Sequence, residues 1–272
     1  MTQDVWLARH PYLQPVADLH ALVHAAARET SIPSALIPRW DDYSGDFHAG
    51  VPLLQSAGVV FDRGHAEGIV SSLVERLASS RTLPENLAEE ARALAAELHC
   101  DSDSPHRALA WLLDEDPYPP RHLGMLHYLG WTALAHYLRP VVGAFSRCRD
   151  EERWLRSYCP TCGAPPAMAQ LVGIDPGRLR LLSCGRCGTR WRYRRTGCPF
   201  CQNENDHRLA IVAIEGEGGL RIDYCEACGG YLKTYNGEGN EGLLLADWTS
   251  LHLDILARDR GLKRLAASLY KL

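Results

Sequence analysis

The chain has no run of apolar residues that would cross a membrane or serve as a secretory signal. From Met1 to Thr30 the polar residues His10, Asp18, His20, His24, Arg28 and Glu29 interrupt each candidate stretch. This places the protein in the cytoplasm, where thiols stay reduced and paired cysteines bind metal more often than they form disulfides. A Gly-rich phosphate loop, a nucleophile elbow and a Ser/His/Asp order are also missing, so no enzyme signature is legible. His20 and His24 stand at i, i+4, but no acid completes a metalloprotease pattern around them, and ordinary surface or core histidines are the simpler reading. Large charge imbalance is absent too. The net charge of −4 gives no whole-surface attraction to nucleic acid or anionic lipid.

What the chain has is cysteine in pairs. Eight of its ten cysteines form Cys159-Pro-Thr-Cys162, Cys184-Gly-Arg-Cys187, Cys198-Pro-Phe-Cys201 and Cys225-Glu-Ala-Cys228. Gly163, Gly188 and Gly229 follow three of the pairs, and glycine accepts the positive φ that closes such a knuckle. Two knuckles make one tetrahedral site, so four imply two metal ions. The gaps between pairs are 21, 10 and 23 residues. Sequential pairing is simplest, Cys159/Cys162 with Cys184/Cys187 and Cys198/Cys201 with Cys225/Cys228, while spacing alone leaves an interleaved pairing open. No histidine or carboxylate belongs to either set, so both sites are closed to water and substrate. Structural zinc contributes on the order of 10 kcal/mol or more to folding of such small modules. Thiolates accept iron as well, and the residues do not choose. Cys100 and Cys148 stand alone and read as small buried hydrophobes.

The rest of the 272 residues divides by periodicity. Helical spacing is read at Tyr12–Arg28, His65–Ser79, Pro84–His99 and from Ser104 to about Asp114. Thr30 to about Gly64, with Pro33, Pro38, Gly45, Gly50, Pro52 and Gly58, reads as loop, with Val59-Val60-Phe61 docking it. Pro117, Pro119 and Pro120 precede the most apolar helix, Leu123–Phe145, which Pro140 should kink or divide. Beyond Tyr158 short β-type runs dominate: Leu179–Leu182, Arg190–Arg194, Leu209–Ile214 and Leu220–Tyr224. A final helix is expected from about Leu243 to Arg260. The expected architecture is therefore multidomain α plus small β. An all-helical bundle occupies residues 1–156, a first four-cysteine ribbon 157–195, a second four-cysteine ribbon 196–240, and a C-terminal helix packing back on the rest 241–272.

Seven arginines and no acid lie from Arg178 to Arg195, interleaved with Trp191 and Tyr193. Arg186, Arg190, Trp191, Arg192, Arg194 and Arg195 suit a protein-docking surface, since Trp, Tyr and Arg are favoured anchors. They equally suit a solvated hairpin whose partners are acids of the helical domain. Nucleic acid ranks third, because the remainder of the chain is acidic.

These residues resemble the formate dehydrogenase accessory proteins, the FdhE family. The resemblance is carried by Cys159-Pro-Thr-Cys162-Gly163, Leu181-Leu182-Ser183-Cys184-Gly185-Arg186-Cys187 running into Trp191 and Arg194, Cys198-Pro-Phe-Cys201, Cys225-Glu-Ala-Cys228-Gly229-Gly230-Tyr231-Leu232-Lys233, and the tail Asp247-Trp248-Thr249-Ser250-Leu251-His252-Leu253-Asp254. Trp248 and Thr249 depart from the family's usual Leu-Ala. The resemblance implies two rubredoxin-like or zinc-ribbon modules, each holding zinc or iron on four cysteines. It also implies a non-catalytic maturation factor that binds the catalytic subunit of a respiratory formate dehydrogenase. The alternative is a rubredoxin-like iron protein passing electrons to that enzyme.

Overall fold

The computed structural model describes residues 1–29, 38–59, 61–117, 120–217 and 219–270. Thr30 to Ile37 with Pro33, Val60 and Pro119 lie outside them. In chain order the helices before the knuckles are α1 (Gln3–Arg9), α2 (Gln14–Glu29), α3 (Trp40–Ala49), α4 (Arg63–Ala78), α5 (Glu85–Leu98), α6 (Ser104–Leu112), α7 (Leu123–Cys148) and α8 (Glu151–Trp154). Asp62 caps α4, its carboxylate accepting from His65 N at 2.9 Å. The apolar stripes of α2, α4, α5 and α6 close on α7, where Leu126, Leu129, Trp131, Leu134 and Leu138 are buried. Each fully buried side chain of this size contributes about 1.5–3 kcal/mol. Among the described residues no helix is long and apolar enough to cross a membrane.

Three helical expectations are corrected. The segment read as loop contains α3, whose Tyr43 and Phe47 sit one turn apart and are buried. Asp41, Asp42, Ser44 and Gly45 hide that pattern because they are weak helix formers. Pro140 does not divide α7, which runs on to Cys148; the proline is on the exposed side, where the carbonyl it leaves unpaired can meet water. The last helix is broken into α9 (Glu241–Leu244), a 3₁₀ turn at Asp247–Ser250 and α10 (Leu251–Asp259).

The strands are β1 (Met168–Val172), β2 (Leu179–Ser183), β3 (Arg190–Tyr193), β4 (Leu209–Ala213), β5 (Leu220–Cys225) and β6 (Tyr231–Asn236). They form one sheet in the order β3-β2-β1-β6-β5-β4. Each ribbon is antiparallel within itself, and the two join through a parallel pairing of β1 with β6, Met168 opposite Lys233 and Leu171 opposite Asn236. One face sends Ala169, Leu182, Trp191 and Leu232 into the helical core. The other presents Met168, Leu220, Ile222, Tyr231 and Tyr235 to Trp6, Leu13, Trp248, Leu251 and Leu253 from α1, the start of α2 and the C-terminal segment. Trp248 and Thr249 are therefore interior residues, Thr249 giving its carbonyl to Trp6 Nε1 at 3.1 Å.

Beneath that second face lies a buried charge network. Lys233 Nζ, 1% exposed, is 2.6 Å from Asp247 Oδ1 and 2.8 Å from Asp254 Oδ2. Arg264 reaches Asp247 at 2.9 Å and Asp254 at 3.3 Å, so two cations face two anions. Tyr231 donates to Asp254 at 2.7 Å. The network bolts the C-terminal segment to β6, the strand at the seam between ribbons.

Candidate metal centres

Every knuckle repeats the same two backbone bonds. The first cysteine's N–H donates to the carbonyl five residues on, at 2.9 Å in all four: Cys159 to Ala164, Cys184 to Thr189, Cys198 to Asn203 and Cys225 to Gly230. Its own carbonyl accepts from the residue four on, which is Gly163, Gly188, Gln202 or Gly229. That residue is left-handed each time, with φ of 77°, 73°, 59° and 72°. Glycine takes this conformation without strain, and Gln202 is the knuckle that does without it. The turn leaves both sulfurs of a pair on one side.

The eight sulfurs gather as two tetrads, Cys159, Cys162, Cys184 and Cys187, then Cys198, Cys201, Cys225 and Cys228. Pairing is thus sequential. Sγ atoms of Cys159 and Cys187 are 3.5 Å apart, as are Cys162 and Cys184; Cys198–Cys228 and Cys201–Cys225 are 3.7 and 3.8 Å. A tetrahedral ion with metal–sulfur bonds of about 2.3 Å places its ligands about 3.8 Å apart. Both tetrads therefore fit one ion each, of a kind that thiolates accept. Backbone N–H groups of Thr161, Phe200 and Gly230 point at Cys159, Cys198 and Cys228 Sγ at 3.4, 3.4 and 3.3 Å, and such donors stabilise thiolate charge. Burial pushes the Cys198 thiol up to about 12 and raises Cys184 as well, so an incoming cation must displace protons to bind.

The tetrads differ in setting. In the first, all four cysteines are buried. Leu53 N and Tyr43 Oη donate to the Pro160 carbonyl at 2.9 and 3.0 Å, and Leu54 N donates to the Thr161 carbonyl at 2.9 Å, so the helical half caps the knuckle directly. In the second, Cys201 is exposed and Cys228 half-buried. Its cover is the C-terminal segment, Lys263 N donating to the Gly229 carbonyl at 2.8 Å.

The arginine run is spread around these centres. Arg186 spans Asp114 at 2.6 Å and the Trp131 ring at 5.1 Å, between helical half and first tetrad. Arg190 donates to Gln170, and Arg192 pairs with Glu152 of α8. Trp191 points inward, its Nε1 donating to the Arg156 carbonyl at 2.9 Å. Arg194 pairs with Glu204 and Arg195 with Asp175, the latter at 2.8 Å; both arginines are about half exposed. His20 and His24 join no group of three metal-ligating side chains among the described residues; their rings lie 3.9 Å apart and burial lowers both pKa values, to about 3 and about 4. Cys100 and Cys148 are exposed, contrary to expectation, because each falls at the end of a helix rather than in its apolar stripe.

The family model of the FdhE central domain matches residues 158–195, the first ribbon. An FdhE homologue of Stutzerimonas stutzeri is 30% identical over 223 residues, covering 75% of this chain and 66% of the relative. The chain belongs to the FdhE family. Another FdhE homologue, from Aquifex aeolicus, is 32% identical over 134 residues, which is 47% of each protein. The matched region thus spans between about half and two thirds of these FdhE relatives. The crystal structure of the FdhE protein from Pseudomonas aeruginosa superposes with a TM-score of 0.62 at 22% identity, covering 95% of this chain and 88% of that one, and shares its fold.

Proposed function

We propose that this chain is a non-catalytic accessory factor that binds the catalytic subunit of a formate dehydrogenase during its assembly. The observation that carries this reading is the sulfur-only donor set of both tetrads in an FdhE-family chain. A site made of four thiolates offers no open position for water or substrate, so ions held there act by shaping the surface around them. Beside the third knuckle that surface forms a groove of about 310 Å³. Arg178, Arg180, Arg195 and Arg221 line it with Asp175 and Asp223, and Phe200 and Ile211 add apolar area, Ile211 being 55% exposed. Arginine next to aromatic and aliphatic side chains suits a protein contact. The docking face we propose is this groove with the adjoining arginine strand, Arg194 and Arg195 outward and Arg186, Arg190, Trp191 and Arg192 bracing it.

Co-purification with the catalytic subunit tests the reading. Wild type should recover it, and a folded, metal-loaded Arg195→Glu/Ile211→Asp chain should recover about tenfold less, the loss of roughly one 1.4 kcal/mol contact. Equal recovery would remove the groove from the interface, and no recovery by wild type would remove the function. The exposure of Cys201 favours a second reading, iron-based electron transfer at the second tetrad, since a surface sulfur shortens the path to a partner. Red protein with reversible bleaching on reduction supports it; colourless protein holding two zinc ions ends it.

A further inference from the structure

Away from both tetrads, three side chains from distant parts of the chain meet where the end of α1, the β4–β5 turn and α10 come together. His10 follows α1, Glu217 lies in the turn, and His252 is in the first turn of α10. One donor atom from each lies within 4.8 Å of the others. His10 Nε2 is 3.1 Å from Glu217 Oε1, and His252 Nε2 is 2.8 Å from Glu217 Oε2. The two imidazoles stack at 4.9 Å. Their side chains are 5% and 12% exposed, and that of Glu217 13%.

The far sides of the rings narrow what this cluster can hold. His10 Nδ1 is 3.0 Å from the Trp6 carbonyl. A carbonyl only accepts, so Nδ1 carries the proton, and in the neutral ring Nε2 aims a lone pair at a carboxylate oxygen. Two acceptors at that distance call for a positive charge between them, either a proton on Nε2 or a metal ion. A carbonyl holding the ring N–H opposite the donor nitrogen is also what sets the tautomer of metal-ligating histidines. His252 Nδ1 is buried with no hydrogen-bond partner among the described residues.

We propose that His10, Glu217 and His252 form a third metal site, for a divalent transition-metal ion of the zinc type. Two imidazoles and one carboxylate suit such ions, whereas the sulfur tetrads suit softer chemistry. Bonds of about 2.0–2.2 Å put tetrahedral donors about 3.3–3.6 Å apart, so an ion would open the two histidine–carboxylate contacts, now 3.1 and 2.8 Å, by a few tenths of an ångström within a cluster whose donor atoms all lie inside 4.8 Å. Three protein ligands leave a fourth position for water, and the exposed Tyr12 ring makes T-shaped contacts with both histidines, at 5.8 and 6.0 Å between centroids. The ion clips the N-terminal helix, the second ribbon and the last helix together.

Equilibrium dialysis of the full chain against Zn²⁺, with elemental analysis, tests the site. Wild type should hold three ions per chain, and Glu217→Gln and His252→Ala should hold two with unchanged circular dichroism. Glu217→Gln keeps the size of the side chain, so the comparison stands even where His252→Ala fails to fold. Co²⁺ in the third position should give weak visible bands without thiolate charge-transfer absorption. Two ions in wild type, three in Glu217→Gln, or a third ion with thiolate absorption would overturn the proposal.

Discussion

The two sulfur tetrads share a local design and differ in what surrounds them. Their knuckles carry the same backbone bonds and nearly the same φ, yet one tetrad is enclosed by the helical half and the other reaches the surface at Cys201. Local sequence makes the ligand cage; the neighbours decide how far the cage is coupled to the fold. The first tetrad is tied to the helices through Pro160 and Thr161, so its loss should propagate into them. The second is tied to a strap of coil, so its loss should stay local.

The largest expected effect is on that coupling. Cys184→Ser should remove most of a contribution that reaches about 10–16 kcal/mol for structural zinc and abolish cooperative unfolding of the whole chain by calorimetry. Cys201→Ser should cost one ion and leave a cooperative helical transition. Identical behaviour of the two variants would break the comparison.

Next comes the seam. Lys233→Met leaves Asp247 and Asp254 with Arg264 as the remaining cation of the network, and removing one partner of a buried network costs about 3–5 kcal/mol, measurable by urea unfolding. A cost below about 1 kcal/mol would mean that the sheet joins the ribbons without help from the charges.

A smaller, kinetic difference should separate the tetrads under chelation. Release from the second tetrad, followed with a chromogenic chelator, should be at least about tenfold faster than from the first, since an exposed sulfur is open to the competing ligand. Equal rates would show that burial does not gate exchange.

Acid should give the mildest signature. Burial alone would raise the Asp247 carboxyl, but Lys233 and Arg264 hold it below its ordinary 3.8. A depressed folded pKa contributes stability above the unfolded value and loses it as pH falls through the folded one. The seam should therefore survive to below about pH 3.8, read by near-UV circular dichroism, and Lys233→Met should move that midpoint upward.

Legibility follows chemistry more than shape. The knuckles are readable because cysteine pairs with trailing glycine have few other uses. Strands β2 to β5 are readable from short runs rich in aliphatic or aromatic residues, whereas β1 and β6 are not singled out by such a run. Met168–Val172 and Tyr231–Asn236 are almost wholly buried on both faces, so neither shows alternation, and Lys233 and Thr234 look like solvent residues until their partners are in place. Asp247 and Asp254 are visible only as part of a tail motif. Their role needs Lys233, 14 and 21 residues away. His10 and His252 carry no signal either, since their common partner Glu217 is over 200 residues from one and 35 from the other.

By itself the sequence determined the eight paired cysteines, the helical and ribbon halves, and the apolar stripe of α7, because each rests on spacing within one short stretch; which knuckles pair was left to the structure. Only the tertiary structure decided that the ribbons share a sheet, that one tetrad is enclosed and the other exposed, and that the arginines divide between internal pairs and an outward edge. These depend on which distant segments come into contact, and contact sets burial, charge pairing and access.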